Sequence, residues 1–490
     1  MSDPDRATAP YDLCILGAGI AGLNALFVAC EHLPATARVL LVDRNATCGG
    51  MWTQTYPYVR LHQPHAMFTV GDLPWGWTRP AGYLATGAEV AAHLSDCLAR
   101  LRDKLALTEM YGQTCVDIAE ITTPDGPMAE LRLQAVDGGG ETIRALRLID
   151  ARGFDVPQIA ALNLSSDQVV SATPRTMDSE GDAPVYIVGG GKTGMDTAHS
   201  LISRGSGRSV TMLTGRGTIF ANRDKTLPTG AARYWRGHLV LPAFRELAML
   251  FDGTNADAVF AHYRDKYAIS PTGGGDQFMF GILSEAESET IADGVDAFIG
   301  DYLVDVVDGA AGSEMVLRSG ARHAVPPGSI FVNCTGHVLR HDRAYEPYLS
   351  PKGTTLRITS RSAVNFLSSV ASYFLTHLFL TDRLRDAPLY ELDMDALRQI
   401  DRKLLHITAV THTYLNTLVL IDMLPFQVLD RCALDLDRWF PMHRRLAALI
   451  DVKMNGRRYA AHCRDALDRV RVDHAVICGP IAARPDHPHG

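Results

Sequence analysis

The chain has 490 residues, a formal net charge of −8, 47% hydrophobic and 21% charged residues, the profile of an ordinary globular protein of two or three domains with a large core. Its Lys and Arg are scattered rather than clustered, which argues against nucleic acid or an anionic membrane as the main partner. The nine Cys are odd in number, irregularly spaced and without a CxxC or CxxxxC pair, so neither a zinc site nor a redox disulfide is expected and a reducing cytoplasm is.

After a polar leader too short for a secretory signal, Tyr11 to Leu16 reads as a strand. Gly17-Ala18-Gly19-Ile20-Ala21-Gly22 follows as a glycine turn, then a helix to Leu33 and a second strand, Val39 to Val42, ending in Asp43. Each part has a task in holding a dinucleotide. Gly17 permits the tight turn, Gly19 leaves room for the pyrophosphate, Gly22 lets helix and strand pack closely, and Asp43 can accept hydrogen bonds from a ribose.

Arg44, the run Gly49-Gly50-Met51-Trp52, the segment Tyr56-Pro57, and His62-Gln63 come next. Apolar residues at helical spacing mark a helix over 88–105, and three alternating stretches near 114–121, 129–136 and 142–149 read as a small antiparallel meander. Val185 to Val188 opens a second strand-turn-helix through Gly189-Gly190-Gly191-Lys192-Thr193-Gly194-Met195-Asp196. A phosphate loop of ATPases is excluded, because that motif needs a glycine where Tyr186 stands.

The strand Ser209 to Thr214 ends without an acid and runs into Gly215-Arg216. Arg216 can pair with a 2′-phosphate that an Asp would repel, which favours NADPH over NADH; the bland reading is a solvated surface Arg. Arg223 and Lys225 are weaker candidates for the same phosphate. Residues 226–294 read as an insertion of amphipathic helices whose aromatics, Tyr234, Trp235, Phe244, Phe278 and Phe280, either pack or line a substrate entrance. A strand from Ile330 then ends in Cys334-Thr335-Gly336-His337.

Beyond Pro388 helical spacing dominates, and this tail either closes the substrate pocket or makes a homo-oligomer contact. The apolar runs 363–380 and 415–429 are broken by Asn365, His377, Asp422 and Pro425, so no membrane span is expected. No metal site is read into His487 and His489.

Asp43, Gly49 to Trp52, Tyr56-Pro57, Asp72-Leu73-Pro74 and the second glycine turn together resemble the class B flavoprotein monooxygenases, the flavin-containing monooxygenases and their Baeyer-Villiger relatives, over roughly Tyr11 to Leu380. The resemblance implies an α/β fold of two Rossmann-like dinucleotide-binding domains, one for FAD and one for NADPH, with a small antiparallel meander and a mostly helical C-terminal region. It divides the chain into a first FAD part (1–175), an NADP domain with a helical insertion (180–300), a second FAD part (301–385) and a helical end (386–490).

For FAD the resemblance implies contacts at Gly17, Gly19, Gly22, Asp43, Arg44, Gly50, Met51, Trp52, Gln63, Thr335 and Gly336, and at Val116 by the adenine, where plain core is the other reading. His337 would then sit near the cofactor, or at the surface. For NADPH it implies Gly189, Gly191, Lys192, Thr193, Gly194 and Arg216. His62 falls where relatives carry a functional Asn or Asp, with the register free to slip to Gln63. It is the catalytic candidate, with a pKa near working pH; the other reading is a structural His tied to backbone.

The implied activity is transfer of one oxygen atom from O2 to a small organic substrate by way of a flavin C4a-hydroperoxide, with a reductase that inserts no oxygen as the alternative. Two departures stand out. Arg152 replaces the Thr of the family's Ala-Thr-Gly turn, and the linker over 153–171 lacks the His of the Baeyer-Villiger signature.

Overall fold

The computed structural model describes residues 9–135, 138–153, 159–178, 180–205, 207–310, 312–336, 339 and 344–481. Of the sequence expectations, His337, linker residues 154–157, His487 and His489 lie outside the described residues.

Strands β1 (Tyr11–Leu16), β2 (Arg38–Asp43), β3 (Ala106–Tyr111), β4 (Gln113–Thr123), β5 (Gly126–Ala135) and β6 (Gly140–Asp150) build the first sheet in the order β3-β2-β1-β6-β5-β4. β1 lies between β2 and β6 and parallel to both. Because a strand's side chains alternate, Leu13, Ile15, Val39 and Leu41 face helix α1 (Ile20–His32), while Cys14, Leu16, Leu40 and Val42 face the meander residues Leu131 and Leu133. Both faces are covered, which is why these strands are apolar without interruption. Helix α2 (Gly87–Arg102) starts on a reciprocal cap between Thr86 and Glu89 and packs beside α1.

The second sheet contains β7 (Val170–Ala172), β8 (Val185–Val188) and β9 (Val210–Leu213). Its order is Ala297–Ile299, β9, β8, Ile330–Asn333, β7, all parallel. Helix α3 (Lys192–Ser203) follows β8. The expected division of the chain is corrected here. Ile330–Asn333 joins the second sheet between β8 and β7, and the strands Leu303–Gly309, Gly312–Leu317 and Arg322–Val325 form an antiparallel sheet packed on it. The chain re-enters the first sheet only at Thr355–Arg357, parallel to β6. A four-residue apolar strand reads the same in either sheet; the ring of Phe331 stacked on Tyr186, 4.7 Å between centroids, belongs to the second.

The C-terminal region is helical as expected. Among the described residues Arg402–Met423 is the one helix long and apolar enough to cross a membrane, and it is buried inside the protein along most of its length, against the helices Val240–Leu250, Ala256–Tyr267 and Met442–His474.

His406 and His412 lie on that buried helix. Burial pushes His406 down to about 3 and His412 down to about 4, from an ordinary value of 6.5. Both are neutral in the fold but take up a proton when the chain unfolds below about pH 6.5. Their contribution to stability is therefore complete above that pH and is lost as pH falls toward the folded values, at up to ~1.4 kcal/mol per pH unit for each group. The melting temperature is expected to fall steadily from pH 7 to pH 5, and His406→Leu to flatten that slope; a melting temperature constant across this range contradicts the burial.

Candidate functional site

At the end of β1, Gly17 takes φ +108°, and a Cβ there would lie 2.8 Å from the Ala151 carbonyl oxygen. A Cβ at Gly22 would lie 1.7 Å from the Gly17 carbonyl oxygen, so α1 can close onto the turn only with glycine at that position. The Gly49 amide donates to the Ala18 carbonyl at 2.9 Å, and a Cβ on Gly50 would stand 2.9 Å from the Gly19 Cα. The second glycine run is thereby pressed onto the first. Gly19 caps α1 without a side-chain hydrogen bond, leaving the helix's first N–H groups to meet an anion.

Asp43 is buried. Its Oδ2 accepts from the Ala18 amide at 2.6 Å and its Oδ1 from the Asn45 amide at 2.7 Å. The carboxylate thus braces the turn and keeps acceptor capacity on both oxygens for a ribose. Arg44 and Met51 are exposed, Gln63 is half-buried, and Trp52 lies edge-on to Phe68 at 5.5 Å. Val116 is exposed where the β4–β5 register shifts, between Cys115 and Asp117, which excludes its reading as core.

Arg152, the departure from the family turn, closes on Asp150 through Nε to Oδ1 at 2.8 Å and Nη2 to Oδ2 at 2.6 Å. Burial alone would raise the Asp150 carboxyl, but the Arg152 guanidinium, with Arg357 behind it, holds it below its usual value. The sequence reading missed the helix Ser368–Leu380, whose start closes the mouth of the first turn. A Cβ on Gly153 would meet the Ser368 hydroxyl at 3.4 Å, and Ser372 donates to the Ala21 carbonyl at 2.7 Å. Ser368-Ser369 opening an apolar helix was the available signal.

The second turn repeats the first. Gly189 has φ +123° and a Cβ there would meet the Cys334 carbonyl oxygen at 2.6 Å, while a Cβ on Gly194 would lie 2.1 Å from the Gly189 carbonyl oxygen. At Gly191 a Cβ would meet nothing within 4 Å, open space that a nucleotide can occupy. Thr335 and Gly336, expected beside the flavin, follow a strand of the second sheet. The Cys334-Thr335 turn lies on Gly189 as Ala151 lies on Gly17, so these residues belong to the second turn. Thr214 stands where an acid would close the site and is buried; Arg216, two residues on, is exposed.

The strap Tyr56 to His62 joins the two turns. The Tyr56 hydroxyl donates to Asp196 Oδ2 at 2.8 Å, Lys192 pairs with Oδ1 of the same carboxylate, and the Tyr58 and Thr197 hydroxyls lie 2.9 Å apart. Lys192, which the resemblance implies as an NADPH contact, is held by Asp196, one helical turn away on α3. Arg223 donates through Nη1 to the His62 carbonyl at 3.2 Å and through Nη2 to Glu287 at 2.6 Å.

Burial, then the charges of Lys192 and Arg223, push His62 down to about 3, against the pull of Glu287. This corrects the expectation of a pKa near working pH: the ring is neutral. Among the described residues the ring takes no hydrogen bond; the His62 carbonyl accepts from the Arg223 side chain.

All nine cysteines are free, eight of them buried. The family model described as pyridine nucleotide-disulphide oxidoreductase matches residues 11–236. An uncharacterized protein of Mycobacterium tuberculosis is 30% identical over 206 residues, 39% of this chain and 35% of that protein. An FAD-dependent monooxygenase of Pyrenophora dematioidea is 26% identical over 214 residues, 40% of this chain and 38% of that protein. The match thus spans little more than a third of these relatives' length. Among solved structures, an oxidized steroid monooxygenase bound to NADP superimposes with a TM-score of 0.50 at 12% identity, covering 78% of this chain and 88% of that one. The chain has the two-dinucleotide-domain fold of the flavoprotein monooxygenases.

The glycine geometry separates folding from binding. Gly194→Ala forces a Cβ into backbone and is expected to lower the melting temperature sharply or prevent folding. Gly191→Ala, with open space around it, is expected to melt like the parent while losing affinity for a nicotinamide dinucleotide; equal melting of the two variants contradicts this account of the turn.

Proposed function

We propose that the protein is an FAD- and NADPH-dependent monooxygenase that transfers one oxygen atom of O2 to a small organic substrate. The observation that carries this reading is the pair of glycine turns, each after a strand with parallel neighbours on both sides, joined by Tyr56 on Asp196. The cysteines are free and include no CxxC pair, so a dithiol relay has no support. Hydride transfer from nicotinamide to flavin is the step such a pair of sites serves. The relative in Pyrenophora dematioidea, an FAD-dependent monooxygenase by name, supports the same reading.

Gly17, Gly19, Gly22, Asp43 and Gly50 fit the ADP half of FAD, and Gly189, Gly191, Thr193 and Gly194 fit that of NADPH. Flavin, when bound, supplies hydride acceptance and oxygen activation, in this family through a C4a-hydroperoxide. The chain's own part is to position and to exclude water. Burial, with Lys192 and Arg223, keeps His62 neutral, so it can offer a hydrogen bond at the junction of the two sites and does not carry a proton. Arg216 is exposed beyond β9, and on this reading it would pair with the 2′-phosphate.

The protein, reduced anaerobically with NADPH and mixed with oxygenated buffer, is expected to show a long-lived absorbance between reduced and oxidised flavin. Direct reoxidation with stoichiometric hydrogen peroxide, unchanged by candidate substrates, would replace this reading with a reductase that inserts no oxygen. His62→Asn is expected to shorten the lifetime of that absorbance by the same factor at pH 6 and pH 8; a loss confined to one side of pH 6.5 would give His62 a titrating role. Arg216→Ala is expected to raise KM for NADPH about tenfold, the loss of one charge-assisted contact, and to leave KM for NADH unchanged.

A further inference from the structure

The helix Met442–His474 turns Met442, Leu446, Ile450 and Met454 outward, 55%, 50%, 51% and 77% exposed. Side chains four apart stack along one face, so these four make a continuous apolar stripe over three turns. Lys453, Arg457 and Arg458 are exposed beside it. Between Met442 and Arg458 the one carboxylate is Asp451, and it is engaged by Arg245, Asn455 at 2.9 Å and Tyr459 at 3.1 Å. In a chain with a net charge of −8, this surface carries apolar and basic side chains and no exposed acid.

At the start of the stripe Arg444 donates to the carbonyls of Arg233 at 3.1 Å and Gly237 at 2.7 Å. The loop so fixed holds Tyr234, 47% exposed, and Trp235, 68% exposed. An apolar stripe, a basic flank and Tyr and Trp at its edge is the combination that lies in a lipid interface, with acyl chains under the stripe, headgroups on the cations and the aromatic rings between. Self-association is disfavoured by the same residues, since two copies meeting along this stripe would bring their cations to one seam.

We propose that this face docks the protein peripherally on an anionic lipid bilayer, with the Met442–Met454 stripe lying in the headgroup region and no segment crossing the membrane. The sequence-wide scatter of basic residues argued against such a partner, but one helix sets Lys453, Arg457 and Arg458 beside the apolar stripe. The proposal is independent of the chemistry at the nucleotide sites.

The test is co-sedimentation of the full chain with vesicles of phosphatidylcholine alone and of phosphatidylcholine with phosphatidylserine. Binding to the anionic vesicles alone, weakened by salt, is expected. Leu446→Glu with Ile450→Glu, and separately Lys453→Ser with Arg457→Ser, are each expected to lower the bound fraction about tenfold or more while the melting temperature is unchanged. Three results overturn the proposal: binding to neither vesicle; equal binding to both; or a concentration-dependent dimer that Leu446→Glu dissolves without any lipid binding, which would make this face an interface between copies of the chain.

Discussion

Asp196 is the carboxylate on which the two halves of the molecule meet. It lies in the first turns of α3, at the eighth position of the second glycine motif, and it takes Tyr56 from the first half and Lys192 from its own helix. Hydrogen bonds to a charged group are each worth roughly 1.5–3 kcal/mol, and more is lost when one partner is removed and a half-buried charge is left. The strap that carries Tyr56 follows closely on Gly49 and Gly50, the glycine run pressed on the first turn. With the Tyr58–Thr197 and Arg223–His62 contacts, this carboxylate makes the positions of the two glycine turns mutually dependent.

The electrostatics of the junction follow from the same arrangement. Lys192 and Arg223 converge on His62, while Asp196 and Glu287 each hold one of those cations. The cations are neutralised pairwise, and the imidazole between them has no carboxylate of its own. Buried as well, it stays uncharged.

The first glycine motif was readable in the sequence because its physics is local. Gly17, Gly22 and Asp43 lie within thirty residues, and each is required by a close backbone approach or a turn that its neighbours impose. What depends on distant chain was not readable. Ile330–Asn333 has the same apolar pattern whichever sheet it joins, and long-range packing on Tyr186 decides. The neutrality of His62 comes first from its burial and then from Lys192 and from Arg223, a cation 161 residues away. Ser368 reaches the mouth of the first turn only because its helix packs on α1. Arg152 was visible as a departure, but its bidentate hold on Asp150 needed coordinates.

The most direct measurement is an anaerobic titration of the purified yellow protein with NADPH, following flavin absorbance in the parent and in Tyr56→Phe. On the proposed function, the parent should bleach completely, and the variant should retain its flavin yet bleach markedly more slowly, because the strap joins the two glycine turns. A parent that holds no flavin, or one that NADPH does not bleach, would contradict the two-site account. Equal bleaching rates in parent and variant would contradict the role of Asp196 as the joint.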